Sequence, residues 1–221
     1  KDLIKTAEKN AKEALERKIA MKASQQSLFD EVETWLKIKK KIKKIEVYDN
    51  SHIQGSFPIG CLVAINSEGY SKSDYRKYNI NDSSINPKDD LAIMRHVFER
   101  RFGKKKNENH DDFSKNLPDL IVIDGGRNQM NVASGVLKKY KIEIPILAIA
   151  KGEKRNEGRE DFYFQDRIFN FPTSSSLLFF FQRIRDEVHR FAIGAHRQKR
   201  STGINKSELD QVYGIGPKKK K

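Results

Sequence analysis

Apolar residues recur at helical spacing through residues 1–36, with Leu3, Ala7, Ala11, Ala14, Leu15 and Ile19 forming one stripe and Leu28, Val32 and Leu36 another. Between them, Ser24 to Ser27 followed by Asp30 and Glu31 predicts a helix break and a fresh N-cap. Lys37 to Lys44 is mostly Lys and Ile, a solvated basic lead into the first strand. There the period changes to two. Lys44-Ile45-Glu46-Val47-Tyr48 alternates like a half-buried strand and delivers Asp49, Asn50, Ser51 and His52 into a turn. Past a turn at Gly55, Ile59 to Asn66 predicts a second strand and Ser67-Glu68-Gly69 a hairpin. Residues 70–80 predict a third, with two polar faces, as on an exposed edge or a nucleic-acid surface.

Asn86-Pro87-Lys88-Asp89 predicts a helix start, with Asn86 as N-cap, Pro87 at the first helical position and Asp89 completing a capping box. Asp90 has no such duty: Met94 and Val97 lie four and seven residues on, placing it at the border of the buried face. Residues 103–116 are charged and nearly free of apolar side chains, which predicts a mobile loop. Leu120 to Ile123 then forms a strand ending on Asp124-Gly125-Gly126. A helix over about 128–140 joins it to a strand over 144–150 ending on Lys151-Gly152, a right-handed parallel crossover. Residues 162–171 predict a hairpin turning at Gln165-Asp166. A long helix over 174–199 carries the apolar face Leu177, Leu178, Phe181, Ile184, Val188, Phe191, Ala192 and Ala195. Gln182, Arg185, His189 and His196 form a polar flank, and the surrounding Arg183, Arg190, Arg197 and Arg200 suit a phosphate-facing surface.

Charge sharpens this picture. A net charge of +14 over 221 residues points to a polyanionic partner such as nucleic acid, or else to a solvated basic surface. The lone Cys61 sits in an apolar run and reads as a buried, inert thiol, with no disulfide possible within the chain. No apolar run approaches the roughly 20 residues of a membrane span, and Lys-Asp-Leu-Ile-Lys is no signal peptide. These features predict a soluble, cytosolic protein. The Lys at position 1 and the terminal lysine run suggest a segment of something longer.

The element order β-β-β-α-β-α-β followed by a long helix is that of the ribonuclease H-like nucleases: an α/β fold with a mixed five-stranded sheet flanked by helices. Residues 1–40 are expected to form an N-terminal helical segment, 41–200 the nuclease domain, and 201–221 a linker with an incomplete helix-hairpin-helix. Gly214 and Gly216 of that hairpin would let backbone N–H groups approach a DNA phosphate. Asp49 and Asp124 each end a strand, where the ligand crevice of an α/β sheet opens. With Asp90 and His189 they form a candidate metal set. Two carboxylates about 4 Å apart repel by about 4 kcal/mol at an effective dielectric near 20, so such a site suits divalent cations. Oxygen donors favour Mg²⁺ or Mn²⁺, and an imidazole tilts the choice towards Mn²⁺.

The stretches YDNSH (48–52), KSDYRKYNI (72–80), PKDDLAIMR (87–95), LPDLIVIDGGRNQ (117–129), IAKG (149–152) and QRIRDEVHRFAIGAHRQKR (182–200) resemble the C-terminal half of UvrC, the incision subunit of bacterial nucleotide excision repair. The resemblance implies a metal-dependent cut on the 5′ side of a lesion in duplex DNA. It implies Asp49, Asp90, Asp124 and His189 as catalytic and metal-binding residues, and a UvrB contact upstream of this segment. Asn50 replaces an aliphatic residue of many relatives, and His52 is assigned to the turn or to hydrogen bonding. Lys151, Arg183, Arg185 and Arg197 are the expected DNA contacts, with Gly214 and Gly216. Another nuclease of this fold, acting on hybrids or junctions, and a non-catalytic DNA-binding module remain open alternatives.

Overall fold

The computed structural model describes residues 2–51, 58–80, 82, 84–103, 116–152 and 160–204, with side chains in the last helix described through Ala195. The expected turn at Gly55, the loop at 104–115, His52, the side chain of Arg197, and Gly214 and Gly216 lie outside the described residues.

The elements are α1 (Asp2–Leu36), β1 (Lys44–Ser51), β2 (Ile59–Asn66), β3 (Gly69–Tyr70), a 3-10 turn (Lys72–Asp74), β4 (Arg76–Asn79), α2 (Asp90–Phe102), β5 (Leu120–Asp124), α3 (Arg127–Lys139), β6 (Ile146–Lys151), β7 (Glu160–Phe164), β8 (Arg167–Phe169) and α4 (Ser176–Ile204). One eight-stranded sheet runs in the order β3-β2-β1-β5-β6-β7-β8, with β4 also pairing β2. β1, β5 and β6 are parallel to one another, and the remaining pairings are antiparallel.

The sheet exceeds the five expected strands for two reasons. The hairpin β7–β8 continues the sheet from β6, because Phe162 and Phe164 share a buried face with Leu147 and Ile149. The third strand is split in two: Ser71 Oγ donates to Asp74 Oδ2 at 3.2 Å, and Asp74 N to Ser71 O at 3.0 Å, closing a turn between the halves. Its tyrosines divide between the faces, Tyr70 and Tyr75 packing on the α4 side and Tyr78 on the α2 side.

Because strand side chains alternate, Ile45, Val47, Val63, Leu120, Val122, Leu147 and Ile149 meet α1 and α4, whereas Tyr48, Leu62, Ala64, Ile121, Ile123 and Ala148 meet α2 and α3. The expected break at Ser24 to Ser27 is absent. That segment holds no Gly or Pro, and Gln26 Nε2 bonds Asp30 Oδ1 at 2.8 Å, so the helix continues. Its inward phase is Gln25, Phe29, Val32 and Leu36, while Ile4, Leu15 and Ile19 face solvent. Trp35 packs on Phe169 and Phe171, with ring centroids 3.9 and 4.5 Å away. The basic lead is pinned by Ile42, which is buried and whose N–H donates to Glu33 Oε1 at 2.6 Å.

The second helix starts three residues later than expected. Asp89 N donates to Asn86 O at 2.9 Å, so Asn86 to Asp89 is a turn, and Asp89 itself is the N-cap, accepting from Leu91 N and Ala92 N. Beneath α2, Glu46 is 1% exposed, and accepts from Tyr48 Oη at 2.6 Å and Arg101 Nη2 at 2.8 Å. Burial and this partner raise the Tyr48 phenol well above its ordinary range.

Candidate active site

Tyr48 pairs with Ile123 in the parallel β1–β5 ladder, so the next residues, Asp49 and Asp124, stand side by side at the strand tips. Asp49 lies two residues beyond Val47, and Asp124 two beyond Val122, so both carboxylates project to the α4 face. Helix α4 crosses that face diagonally. Phe181 packs on Phe162 of β7 at 5.5 Å, Arg185 bonds Glu160 at the start of β7, His189 reaches β1, and Phe191 packs on Tyr75 at 5.0 Å. His189 Nδ1 thereby lies 3.4 Å from Asp49 Oδ2. One ligand atom from each of Asp49, Asp124 and His189 falls within 4.8 Å of the others. Asp49 is buried, Asp124 half-buried and His189 exposed, so the cluster opens to solvent on the histidine side.

Burial first, and the Asp49 charge second, push the Asp124 carboxyl up from 3.8 to about 6, against the opposing pull of Arg185, His189 and Lys151. Cys61 pairs with Asp49 across β1–β2, and burial followed by that carboxylate pushes its thiol up to about 12. It is thus protonated and inert, as its apolar context implied.

Asp90 is not drawn into this cluster. It begins α2, which packs on the opposite face of the sheet, and its half-buried carboxyl lines a groove of about 380 Å³ with Leu91, Gly126, Arg127, Asn128 and Gln129. Asn50 accounts for its position. One residue beyond Asp49, Asn50 points to the α2 face, where its Nδ2 donates to Asp90 O at 3.1 Å and ties the start of the helix to the strand tip. Sequence reasoning missed this role, although alternation from Asp49 was the signal for it.

The basic residues separate. Lys151, the last residue of β6, is exposed at the same end of the sheet as the acids. Arg183 Nη2 instead donates to Gln25 Oε1 of α1 at 3.1 Å. Arg185 is held by Glu160 and by Asp186 Oδ1 at 3.0 Å, and Arg190 forks onto Glu187, which also accepts from Tyr75 Oη at 2.9 Å. Glu160 and Glu187 were invisible as partners of Arg185 and Tyr75 because these contacts join elements distant in the chain.

The donor set fits a divalent cation. Two carboxylates and an imidazole converge, and the crowding that raises Asp124 is the crowding a cation would relieve. Among the described residues, no helix is long and apolar enough to cross a membrane.

Residues 33–193 match the family model for the UvrC RNAse H endonuclease domain. UvrABC system protein C of Sphingopyxis alaskensis is 44% identical over 223 residues, covering 100% of this chain and 35% of that protein. Its counterpart in Novosphingobium aromaticivorans is 46% identical over 222 residues, covering 99% and 33%. The chain therefore spans about a third of the length of these curated relatives. Among solved structures, human ENDOV is 10% identical with a TM-score of 0.36, covering 53% of this chain and 50% of that one. That overlap is too loose to carry weight. With most of the chain matched by the family model, and with the strand-end acids and the last helix as far as residue 193 inside the match, the chain belongs to the UvrC RNase H endonuclease domain family.

Proposed function

We propose that this chain is a divalent-metal-dependent DNA endonuclease that makes the 5′ incision at damaged duplex DNA, as part of a UvrABC-type excision nuclease in the bacterial cytoplasm. The convergence of Asp49, Asp124 and His189 carries the reading. Asp49 and Asp124 would hold Mg²⁺ or Mn²⁺ as oxygen donors, with His189 as the nitrogen donor on the open side. When bound, the cation supplies Lewis-acid polarisation of the phosphodiester and charge stabilisation for hydrolysis. With one ring nitrogen of His189 serving the cation, the other would carry the N–H and donate a hydrogen bond to the reacting phosphate. Asp90, outside that three-residue cluster, would add a further carboxylate from the α2 side, along the groove it shares with Arg127.

Lys151, exposed at the end of the sheet where the acids stand, supports a DNA contact there, and Arg183 and Arg197 are further proposed contacts. The chain's excess of positive charge supports a polyanionic substrate. The relatives' name, UvrABC system protein C, supports a UvrB partner, met through a region upstream of this segment. A nicking assay on supercoiled and lesion-bearing duplexes with Mn²⁺, Mg²⁺ or EDTA tests the reading. Metal-dependent nicking of DNA is expected. Preferential cutting of RNA–DNA hybrid would favour another nuclease of this fold, and tight binding with no cutting would leave a binding module.

A further inference from the structure

Glu160 opens β7 on the same inward face as Phe162 and Phe164, so an acid takes a place where alternation calls for an apolar side chain. It is 7% exposed, and a carboxylate so buried is costly unless paired. Its partner is Arg185, one helical turn before His189 on α4. Glu160 pairs with Lys151 in the β6–β7 ladder, which puts the ion pair at the end of the sheet where Asp49 and Asp124 stand. One turn further along α4 His189 reaches Asp49, so the Arg185 guanidinium sits at the same end of the sheet as the acids. A buried ion pair of this kind can often be replaced by apolar side chains with no loss of stability, so its presence here is not explained by stability alone.

The geometry points to Glu160 as a positioning residue that pins the Arg185 guanidinium beside the Asp49–Asp124 carboxylates, sets the register in which α4 offers His189 to Asp49, and withholds Arg185 from DNA. This rests on the nuclease reading above and departs from the expectation that Arg185 contacts phosphate. A guanidinium fixed in this way partly offsets the crowded negative charge without occupying a donor position.

The test compares the full chain with Glu160→Gln, Arg185→Met and the double variant Glu160→Met/Arg185→Met. Three readouts are taken: thermal stability in EDTA, duplex DNA affinity in EDTA by fluorescence anisotropy, and kcat and KM for nicking with Mn²⁺. The double variant is expected to keep its Tm and DNA affinity while kcat falls by about 10–100-fold, the usual range for residues that support a metal site. Nicking by the double variant at the wild-type rate would overturn the proposal, leaving a purely structural pair. A loss of DNA affinity in Arg185→Met that matches its loss of kcat/KM would also overturn it, by making Arg185 a DNA contact. Should the double variant fail to fold, Glu160→Gln decides: a reduced kcat with DNA affinity unchanged or raised supports positioning, and an unchanged kcat rejects it. Failure of the wild type to nick with any metal would sink the nuclease reading instead, and the affinity arm would still show whether Arg185 touches DNA.

Discussion

Asp124→Asn is expected to make the metal-free protein more stable while abolishing incision. In the folded chain the Asp124 carboxyl is raised from 3.8 to about 6. Below pH 3.8 it is protonated in both the folded and unfolded states and contributes nothing to the pH dependence. As pH rises from there towards 6, the folded state binds more protons than the unfolded one, so stability falls. Above that range the penalty levels off at about 3 kcal/mol. Asparagine, neutral and nearly the same shape, removes that penalty. For a chain of this size about 3 kcal/mol corresponds to a rise in Tm of roughly 6–12 °C. The assay is thermal or urea denaturation in EDTA at about pH 8 and about pH 5, with wild type and variant side by side. The advantage of the variant should be largest at the higher pH and shrink to about half at the lower. A variant no more stable than wild type at the higher pH, or an advantage that does not change with pH, would refute the reasoning that burial and Asp49 together strain this carboxylate.

Other substitutions test separate parts of the structure. Asp90→Asn should reduce nicking far more than Asp89→Asn, because asparagine still caps the α2 N-terminus as Asp89 does; equal losses in initial rate would remove the distinction between the two acids. Arg101→Met should destabilise the fold by about 3–5 kcal/mol in urea denaturation, since it leaves Glu46, 1% exposed, without its main counter-charge. A change below about 1 kcal/mol would mean that water reaches Glu46. Duplex DNA affinity should fall steeply with salt, with a log–log slope of about −0.9 for each phosphate neutralised; a flat response would make the net charge of +14 a solvated surface only.

Much of the site was legible because β-strands report their own geometry. Alternation through Val47 and Val122 ended on Asp49 and Asp124, and parallel pairing brought those tips together. His189 was legible as a polar position bordering an apolar helical stripe. What escaped depended on partners remote in sequence. Ser24 to Ser27 carries cap-like residues, but packing of Phe29 and Val32 against the core, with no Gly or Pro to interrupt, carried the helix through. Asn86 and Asp89 are both good caps, and only the turn closed by Asp89 N on Asn86 O decides between them. Asp90 was legible as an acid bordering the buried stripe of its helix, but the packing of that helix on the far side of the sheet from α4 was not, because it joins elements remote in sequence. The Glu46–Arg101 and Glu160–Arg185 pairs join residues 55 and 25 apart, beyond any local pattern.

The most direct measurement is the initial rate of DNA nicking as a function of Mn²⁺ concentration, for the wild-type chain and for Asp49→Asn. If Asp49, Asp124 and His189 hold the cation that drives hydrolysis, the wild-type rate rises with Mn²⁺ and saturates, EDTA stops it, and Asp49→Asn binds duplex DNA as well as wild type while showing no cutting above background. A wild-type rate that is indifferent to metal, or an Asp49→Asn variant that cuts as fast as wild type, would contradict the assignment of this cluster as the catalytic metal site.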